Sequence, residues 1–419
     1  MSVLENTYTD SDKIVHQERK IWCDEDKHEL FEFFTDFNEW LDSDEAQDIR
    51  IENKIEGLAQ PSKALYSSDS AAYNQVFKIF REEQKEQILA KTYIGDLFGD
   101  EHWYEKNESR FEQLVKALVN RSVVPFVGAG LSVEGGFPAW GAHLRQQGRT
   151  SGIPTADIDE MLGKGQYEQV IEEIEKKGFR DTFIQELKDV FSKTGKLTDT
   201  TLRLSELFND TIITTNYDQL IEQAFETGAE NTVQLIGISN IAELPEPKKT
   251  TIFKLHGDID KPAQCILGKD QYDEAYGKDA LDLKKPIPKL LSYHYKTSSL
   301  LFLGCSLYQD RTMRVFHAVK EAMGDTDRPP HFSLESMPED ENELINRNSY
   351  LLEYGIIPIW FPKGCYEYIE QILRLAKNEL RYIGQEPGQK SPSEEPENQE
   401  TVIEKKGLFS TLASFFGIK

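Results

Sequence analysis

The stretch SVVPFVGAGLSVEGGFPAW, Ser122 to Trp140, constrains this chain more than any other, because an apolar run empties straight into glycines. Val123, Val124, Pro125, Phe126 and Val127 are apolar at successive positions, as a strand covered on both faces in a parallel sheet must be. Gly128 and Gly130 would let the backbone turn tightly and approach a diphosphate, and Leu131 and Ser132 are expected to open a helix whose free N–H groups face the anion. Only half of the G-x-G-x-x-G spacing is present, since Val133 stands where a third glycine would fall. An apolar strand ending in a glycine turn also has an ordinary structural explanation, so the loop needs support from elsewhere in the chain.

Length and charge narrow the classes. At 419 residues the chain exceeds the roughly 300 at which single cores stop growing, so one large domain with extensions is expected. A net charge of −25 argues against gripping a bare phosphate backbone, and direct nucleic-acid binding is not expected. Cys23, Cys265, Cys305 and Cys365 are scattered with no C-x-x-C pair, which suggests neither a disulfide framework nor a zinc site, and no metal is expected. The N-terminus lacks the basic and apolar regions of a signal peptide, and no apolar run is long enough to span a bilayer, so a cytoplasmic location is the default.

Residues 1–113 read as an acidic helical extension. Phe31, Phe33, Phe34, Phe37, Trp40 and Leu41 recur at the spacing of one apolar helix face, and further helical runs cover Ala71 to Leu97 and Glu105 to Val119. Residues 114–383 read as the main domain. After the first strand comes a polar helical stretch, about 139–208, too long for an ordinary crossover and expected to be a helical module lying over the ligand cleft. Then follow TIITT (Thr211 to Thr215), TVQLI (Thr232 to Ile236), TIFKL (Thr251 to Leu255), SLLFLG (Ser299 to Gly304) and IIPIWF (Ile356 to Phe361). With the first run this makes a six-stranded, doubly wound, Rossmann-like α/β parallel sheet with an inserted helical module. Residues 384–406 are rich in Pro, Glu, Gln and Ser and read as a disordered acidic linker, and 407–419 as an apolar C-terminal segment whose Leu408, Leu412, Phe415 and Phe416 share a helical face.

In an open α/β sheet ligands sit outside the carboxyl ends of the strands. There the second strand meets Thr215, Asn216, Tyr217 and Asp218, the fourth meets His256, Gly257 and Asp258, and the fifth meets Gly304, Cys305, Ser306 and the adjacent Asp310 and Arg311. Each has an ordinary role available: Asn216, Asp218 or Ser306 as a helix cap, His256 as a satisfied loop histidine. Four polar clusters at strand ends point instead to one site, although Asp310 and Arg311 are read as a salt bridge with each other rather than as ligand contacts.

The ordered blocks GAGLS (Gly128 to Ser132) followed by GGFPAW, TTNYD (Thr214 to Asp218), KLHGD (Lys254 to Asp258) and LGCSLYQD (Leu303 to Asp310) resemble the sirtuin (Sir2) family, in its prokaryotic NAD-consuming branch. The resemblance covers about residues 114–380. It implies that Gly128, Ala129, Gly130 and Ser132 line the diphosphate and proximal ribose, with Thr215 and Gly304 beside them and Ser306 on the adenosine side. It implies that Asn216 and Asp218 position the ribose and the water or nicotinamide pocket, and that His256 is the general base. Departures qualify it. Protein-deacylating sirtuins carry a four-cysteine zinc module where 257–297 here offers only Cys265. Deacylation and ADP-ribosyl transfer are therefore the alternatives, with a non-catalytic nucleotide-binding scaffold as a third. The first expectation is an NAD+ glycohydrolase releasing nicotinamide and ADP-ribose, an effector of anti-phage defence by NAD+ depletion. Family likeness further implies a homo-oligomer, or a HerA-like DNA-translocating ATPase as partner.

Overall fold

The computed structural model describes residues 31, 34–58, 60–227, 232–241, 243–278, 280–308, 310–324 and 328–383. Phe33, Cys23, the linker expected at 384–406 and the apolar segment 407–419 lie outside the described residues.

The core is a parallel sheet of seven strands, not six. They are β1 (Val123–Val127), β2 (Thr211–Thr214), β3 (Val233–Ile236), β4 (Thr250–Lys254), β5 (Ser299–Leu303), β6 (His331–Ser336) and β7 (Ile356–Phe361). Their order is β3-β4-β2-β1-β5-β6-β7. The chain starts in the middle, builds one half, and returns beside β1 to build the other, so the order reverses between β1 and β5 and opens a crevice at that switch point. The uncounted strand is β6, HFSLES. It escapes an apolar-run criterion because His331, Ser333 and Glu335 alternate with apolar residues, yet all three are buried. Partners offset part of the cost: His331 Nδ1 accepts from the Leu300 amide at 3.1 Å, and Arg347 bonds Glu335 at 2.8 Å.

Apolar residues on the two sheet faces seed two cores. Val127, Ile212, Ile252, Leu301, Leu303, Phe332 and Ile359 face helices His102–Val119, Asp199–Leu207 and Tyr368–Tyr382. Phe126, Ile213, Phe253, Leu300 and Phe302 face helices Pro286–Thr297 and Arg311–Met323. At roughly 1.5–3 kcal/mol for each large apolar side chain fully buried, these two faces dominate the favourable side of folding. Pro125 is admitted to a central strand because the β1–β2 ladder begins only at Phe126.

Two further cores lie off the sheet. Helices Trp140–Thr150, Thr155–Gly163, Tyr167–Lys176 and Arg180–Phe191 bury Leu144, Ile158, Val170, Ile174, Phe183 and Phe191 against Tyr217, Leu220, Ile259 and Leu267, which follow β2 and β4. This inserted module therefore sits over the carboxyl ends of those strands. Phe37, Leu41, Leu65, Tyr73 and Phe80 form the other core, nearer the N-terminus. The run expected from Ala71 to Leu97 is two helices, Ser70–Ile88 and Lys91–Phe98, separated at Ala90, whose φ of 61° is left-handed. The expected division at 113/114 passes through helix His102–Val119. Trp103, Tyr104 and Phe111 on one side of it and Leu114 and Leu118 on the other all belong to the sheet's core.

Candidate active site

Register fixes the site before any side chain is considered. Val127 pairs with Thr214 and with Leu303, and Thr214 pairs with Lys254, so these four residues form one row across β4-β2-β1-β5. Two residues further along the four segments come His256, Asn216, Ala129 and Cys305, in the loops that follow the strands. Neighbouring strands lie about 4.8 Å apart, so the loops that bear the sequence-derived candidates leave the sheet side by side.

Backbone bonds then tie the loops together. The Gly128 amide donates to the Leu303 carbonyl at 2.9 Å, the Gly130 amide to the Gly304 carbonyl at 2.9 Å, and the Thr215 amide to the Val127 carbonyl at 3.3 Å. The glycines are required by this mutual approach: a Cβ on Gly128 would stand 2.6 Å from the Gly304 oxygen, and one on Gly130 2.8 Å from it. Gly304 itself has φ of 64° and its added Cβ would collide with the Leu131 amide. The expected helix start at Leu131 and Ser132 is instead one 3-10 turn, Ala129–Ser132, with the next α-helix beginning only at Trp140. Gly135, Gly136 and Pro138 interrupt the helix between them. Any anion held here meets a turn and loop amides, not the end of an α-helix.

Asn216 lies at the centre. It is 3% exposed, its backbone N–H donates to Thr214 Oγ1 at 3.0 Å, and its side-chain Nδ2 donates to the Gly128 carbonyl at 3.1 Å and to Ser132 Oγ at 3.0 Å. Its Oδ1, though buried, accepts from nothing. A buried amide oxygen without a donor costs about 1–3 kcal/mol, which marks it as a place where a ligand hydroxyl or a water is accommodated. Asp218 accepts from the Leu220 amide at 3.1 Å, capping helix Leu220–Thr227. Burial raises its carboxyl above the usual range against that bond, the Ser132 hydroxyl and the Lys254 charge.

His256 is 9% exposed. Its Nε2 hydrogen-bonds with the Tyr276 hydroxyl at 3.0 Å, and its Nδ1 lies 3.4 Å from the Tyr272 hydroxyl. Burial lowers its pKa to about 4, so the ring is neutral at physiological pH, the form a base requires. Lys254, two residues earlier, is sealed in and bonds Glu222 at 2.6 Å and Asp258 at 3.0 Å. Burial alone would lower its pKa, but those carboxylates outweigh burial and hold it above the usual lysine range.

The β5 side is more open. Ser306 is exposed and contributes its carbonyl to Arg347 at 3.0 Å. Asp310 and Arg311 do not pair with each other: Asp310 accepts from the Met313 amide at 2.8 Å as a helix cap, and Arg311 bonds Asp273 at 2.7 Å and Glu168 at 2.9 Å. Adjacent residues at a helix start point in different directions, and the cap takes the carboxylate.

Sequence reasoning passed over five participants. Tyr272 and Tyr276 stand four apart on helix Lys269–Tyr276, a spacing that places both on one face and could have been read from KDQYDEAY. Lys254 was visible inside KLHGD, but its burial was not. Glu335 and Arg347 were lost with β6. A separate groove of about 320 Å³, lined among others by Trp40, Phe80, Arg374 and Tyr382, shares no residue with this rim. Among the described residues no group of three or more His, Cys, Asp or Glu is arranged to hold a metal ion, and no described helix is long and apolar enough to cross a membrane.

Residues 210–359, from β2 through most of β7, match the SIR2-like domain family; the matched segment leaves out β1 and its glycine loop. The chain is 26% identical over 223 residues to NAD(+) hydrolase ThsA of Bacillus cereus (strain MSX-D12), covering 53% of this chain and 45% of that protein. It is 27% identical over 214 residues to NAD(+) hydrolase ThsA of Enterococcus faecium, covering 51% and 43%. NAD(+) hydrolase ThsA of Cytobacillus dafuensis is 26% identical over 243 residues, covering 58% and 45%. The chain thus spans under half the length of the curated relatives it matches.

Proposed function

We propose that this chain, whose sheet carries a SIR2-like domain, is an NAD+ glycohydrolase that converts NAD+ and water to nicotinamide, ADP-ribose and a proton. The observation that carries this reading is the buried, unpartnered Oδ1 of Asn216, whose other end is bonded to Gly128 and Ser132 and which, like the neutral His256, lies two residues beyond the paired Thr214 and Lys254. The naming of the three relatives as NAD(+) hydrolases supports the choice of substrate.

The chemistry asks little of the protein beyond placement. The bond from ribose C1′ to the pyridinium nitrogen breaks with its electron pair going to nicotinamide, which leaves neutral, while positive charge spreads over the sugar. Water then adds to C1′. Asn216 Oδ1 accepts from that water or from a ribose hydroxyl and fixes its direction, because Nδ2 is already committed to Gly128 and Ser132. His256 takes the proton released. To do so it exchanges one tyrosine hydroxyl for the substrate, since both ring nitrogens face tyrosines in the protein alone. Asp218 orders the loop and adds negative potential beneath the sugar, while Ala129, Gly130, Thr215, Gly304 and Ser306 would run under the diphosphate and adenosine. We assign the biological role to defence against phage by draining NAD+, under the control of self-assembly or of a protein partner.

Incubating the purified protein with NAD+ and separating the products, for wild type, Asn216→Ala and His256→Ala, tests the reading. Nicotinamide and ADP-ribose should appear in equal amounts with wild type, and at least about 100-fold more slowly with either variant. Wild-type turnover by His256→Ala would remove the base assignment, and a strict requirement for an acylated peptide would replace hydrolysis with deacylation. Full activity of the isolated monomer would count against control by assembly.

A further inference from the structure

Lys254 closes β4 with its side chain 1% exposed, immediately ahead of the loop that carries His256. Its Nζ donates to the Asp218 carbonyl at 2.7 Å and to Glu222 Oε1 at 2.6 Å, and reaches Asp258 Oδ2 at 3.0 Å. The three donors of an ammonium therefore meet three close acceptors, with the Tyr217 carbonyl at 3.3 Å sharing one of them. These acceptors belong to three segments: the loop after β2, the helix Leu220–Thr227 that follows it, and the loop after β4.

Stability does not account for such an arrangement. A buried ion pair regains its desolvation cost only in part, and apolar residues of similar volume commonly replace one without loss. The charges here are also unequal, one ammonium facing both Glu222 and Asp258, and Glu222 Oε2 is buried with no hydrogen-bond partner. What the ammonium can do, and an apolar side chain cannot, is grip the peptide carbonyls directly after Asn216. The other side of Asn216 is already fixed by Thr214, Gly128 and Ser132. Lys254 completes the restraint and joins it covalently, through β4, to the His256 loop.

We infer that Lys254 is a positioning residue for NAD+ cleavage, which sets Asn216 against His256 by holding the Tyr217 and Asp218 carbonyls while touching neither substrate nor reacting atom. This rests on the glycohydrolase reading of the same site. Two variants of the full chain test it, Lys254→Met and the double variant Lys254→Met/Glu222→Gln, each assayed for kcat and KM with NAD+ and for thermal midpoint. Lys254→Met should lower kcat about 100-fold, the scale of a slight misplacement of reacting groups, with KM changed by no more than roughly threefold. Removing the stranded carboxylate in the double variant should recover thermal stability and leave kcat low, because the two carbonyls are still unheld. Recovery of kcat together with stability would overturn the inference and reduce Lys254 to charge balance, as would a single variant that is well folded and fully active. A wild-type protein that leaves NAD+ intact would instead remove the glycohydrolase reading itself.

Discussion

The two halves of the rim use the same short polar residues but differ in how far water reaches them. On the β2/β4 half, Asn216, Asp218, Lys254 and His256 are all buried, and most of their polar atoms are bonded to neighbouring loops and helices. On the β1/β5 half, Ala129 and Gly304 are partly exposed and Ser306 is open. In a dry setting a fixed dipole or charge acts strongly and needs no reorganisation, whereas in a wet one it is screened. We propose from this contrast that bond breaking belongs to the first half and recognition of the diphosphate and adenosine to the second.

The sharpest way to break this assignment is to truncate one residue on each side. Asn216→Ala or His256→Ala should lower kcat by about 10²- to 10⁴-fold, the usual worth of a positioned acid, base or water-orienting group, while circular dichroism and thermal midpoint stay near wild type. Comparable loss of kcat from any exposed residue of the β1/β5 half would erase the distinction.

Acid titration probes burial directly. His256 has its pKa lowered to about 4 by burial, and so do His143 and His294, which lie in the cap and in the β4 face of the core. A histidine whose folded pKa lies below its unfolded value of about 6.5 gives stability that is complete above pH 6.5 and lost as the pH falls towards 4. Each such group accounts for roughly 3 kcal/mol at the acid end. The thermal midpoint should therefore fall steeply between pH 6.5 and 4, and His143→Phe should flatten that slope. The acid limb of kcat/KM should lie well below pH 6.5, since a limb near that value would mean that His256 is solvated, contrary to the contrast drawn here.

How much of this was legible in the residues depends on what each feature needs. The strands that end at the site were readable because VVPFV, TIIT, TIFK and SLLFL are apolar on both faces, and the loops after them were readable because their polar residues have no place in a core. β6 was not, because its buried His331 depends on neighbours that only the fold brings near, the Leu300 amide and the Tyr295 ring 4.1 Å away, and the burial of Ser333 leaves no trace in its residue type. The glycines were readable as a tight turn, but not that they also admit the β5 loop, which a Cβ on Gly128 or Gly130 would meet at the Gly304 oxygen. Asp310 and Arg311 show the same limit, since adjacency in sequence says nothing of direction, and Arg311 spans to the inserted module and to helix Lys269–Tyr276.

Packing between the halves gives the next test. Gly304→Ala forces a left-handed residue to carry a Cβ into the Leu131 amide, combining a conformational cost with overpacking for a total of about 2–4 kcal/mol. Gly136→Ala, with φ of 97° but open space around it, should cost only the conformational part, about 1–2 kcal/mol. The difference between the two in urea midpoint isolates the contact that joins the β1 and β5 loops. Equal losses would mean that this contact contributes nothing.

The smallest effect is expected at Ser306, and it is the one that most refines the division of labour. Its side chain is exposed, and its backbone carbonyl is held by Arg347 whatever the side chain is. Ser306→Ala therefore leaves the loop in place and removes one hydroxyl that reaches a solvated part of the ligand. A hydrogen bond made there is equally strong in the ground and transition states, and in water it is worth about 0.5–1.5 kcal/mol. Binding that is uniform in this sense appears in KM and not in kcat, so KM for NAD+ should rise by roughly 2- to 10-fold with kcat unchanged. The same variant should be indifferent towards nicotinamide mononucleotide, which lacks the adenosine half. If Ser306→Ala weakened turnover of both substrates alike, the dinucleotide would have to lie the other way round, with its adenosine over β2 and β4.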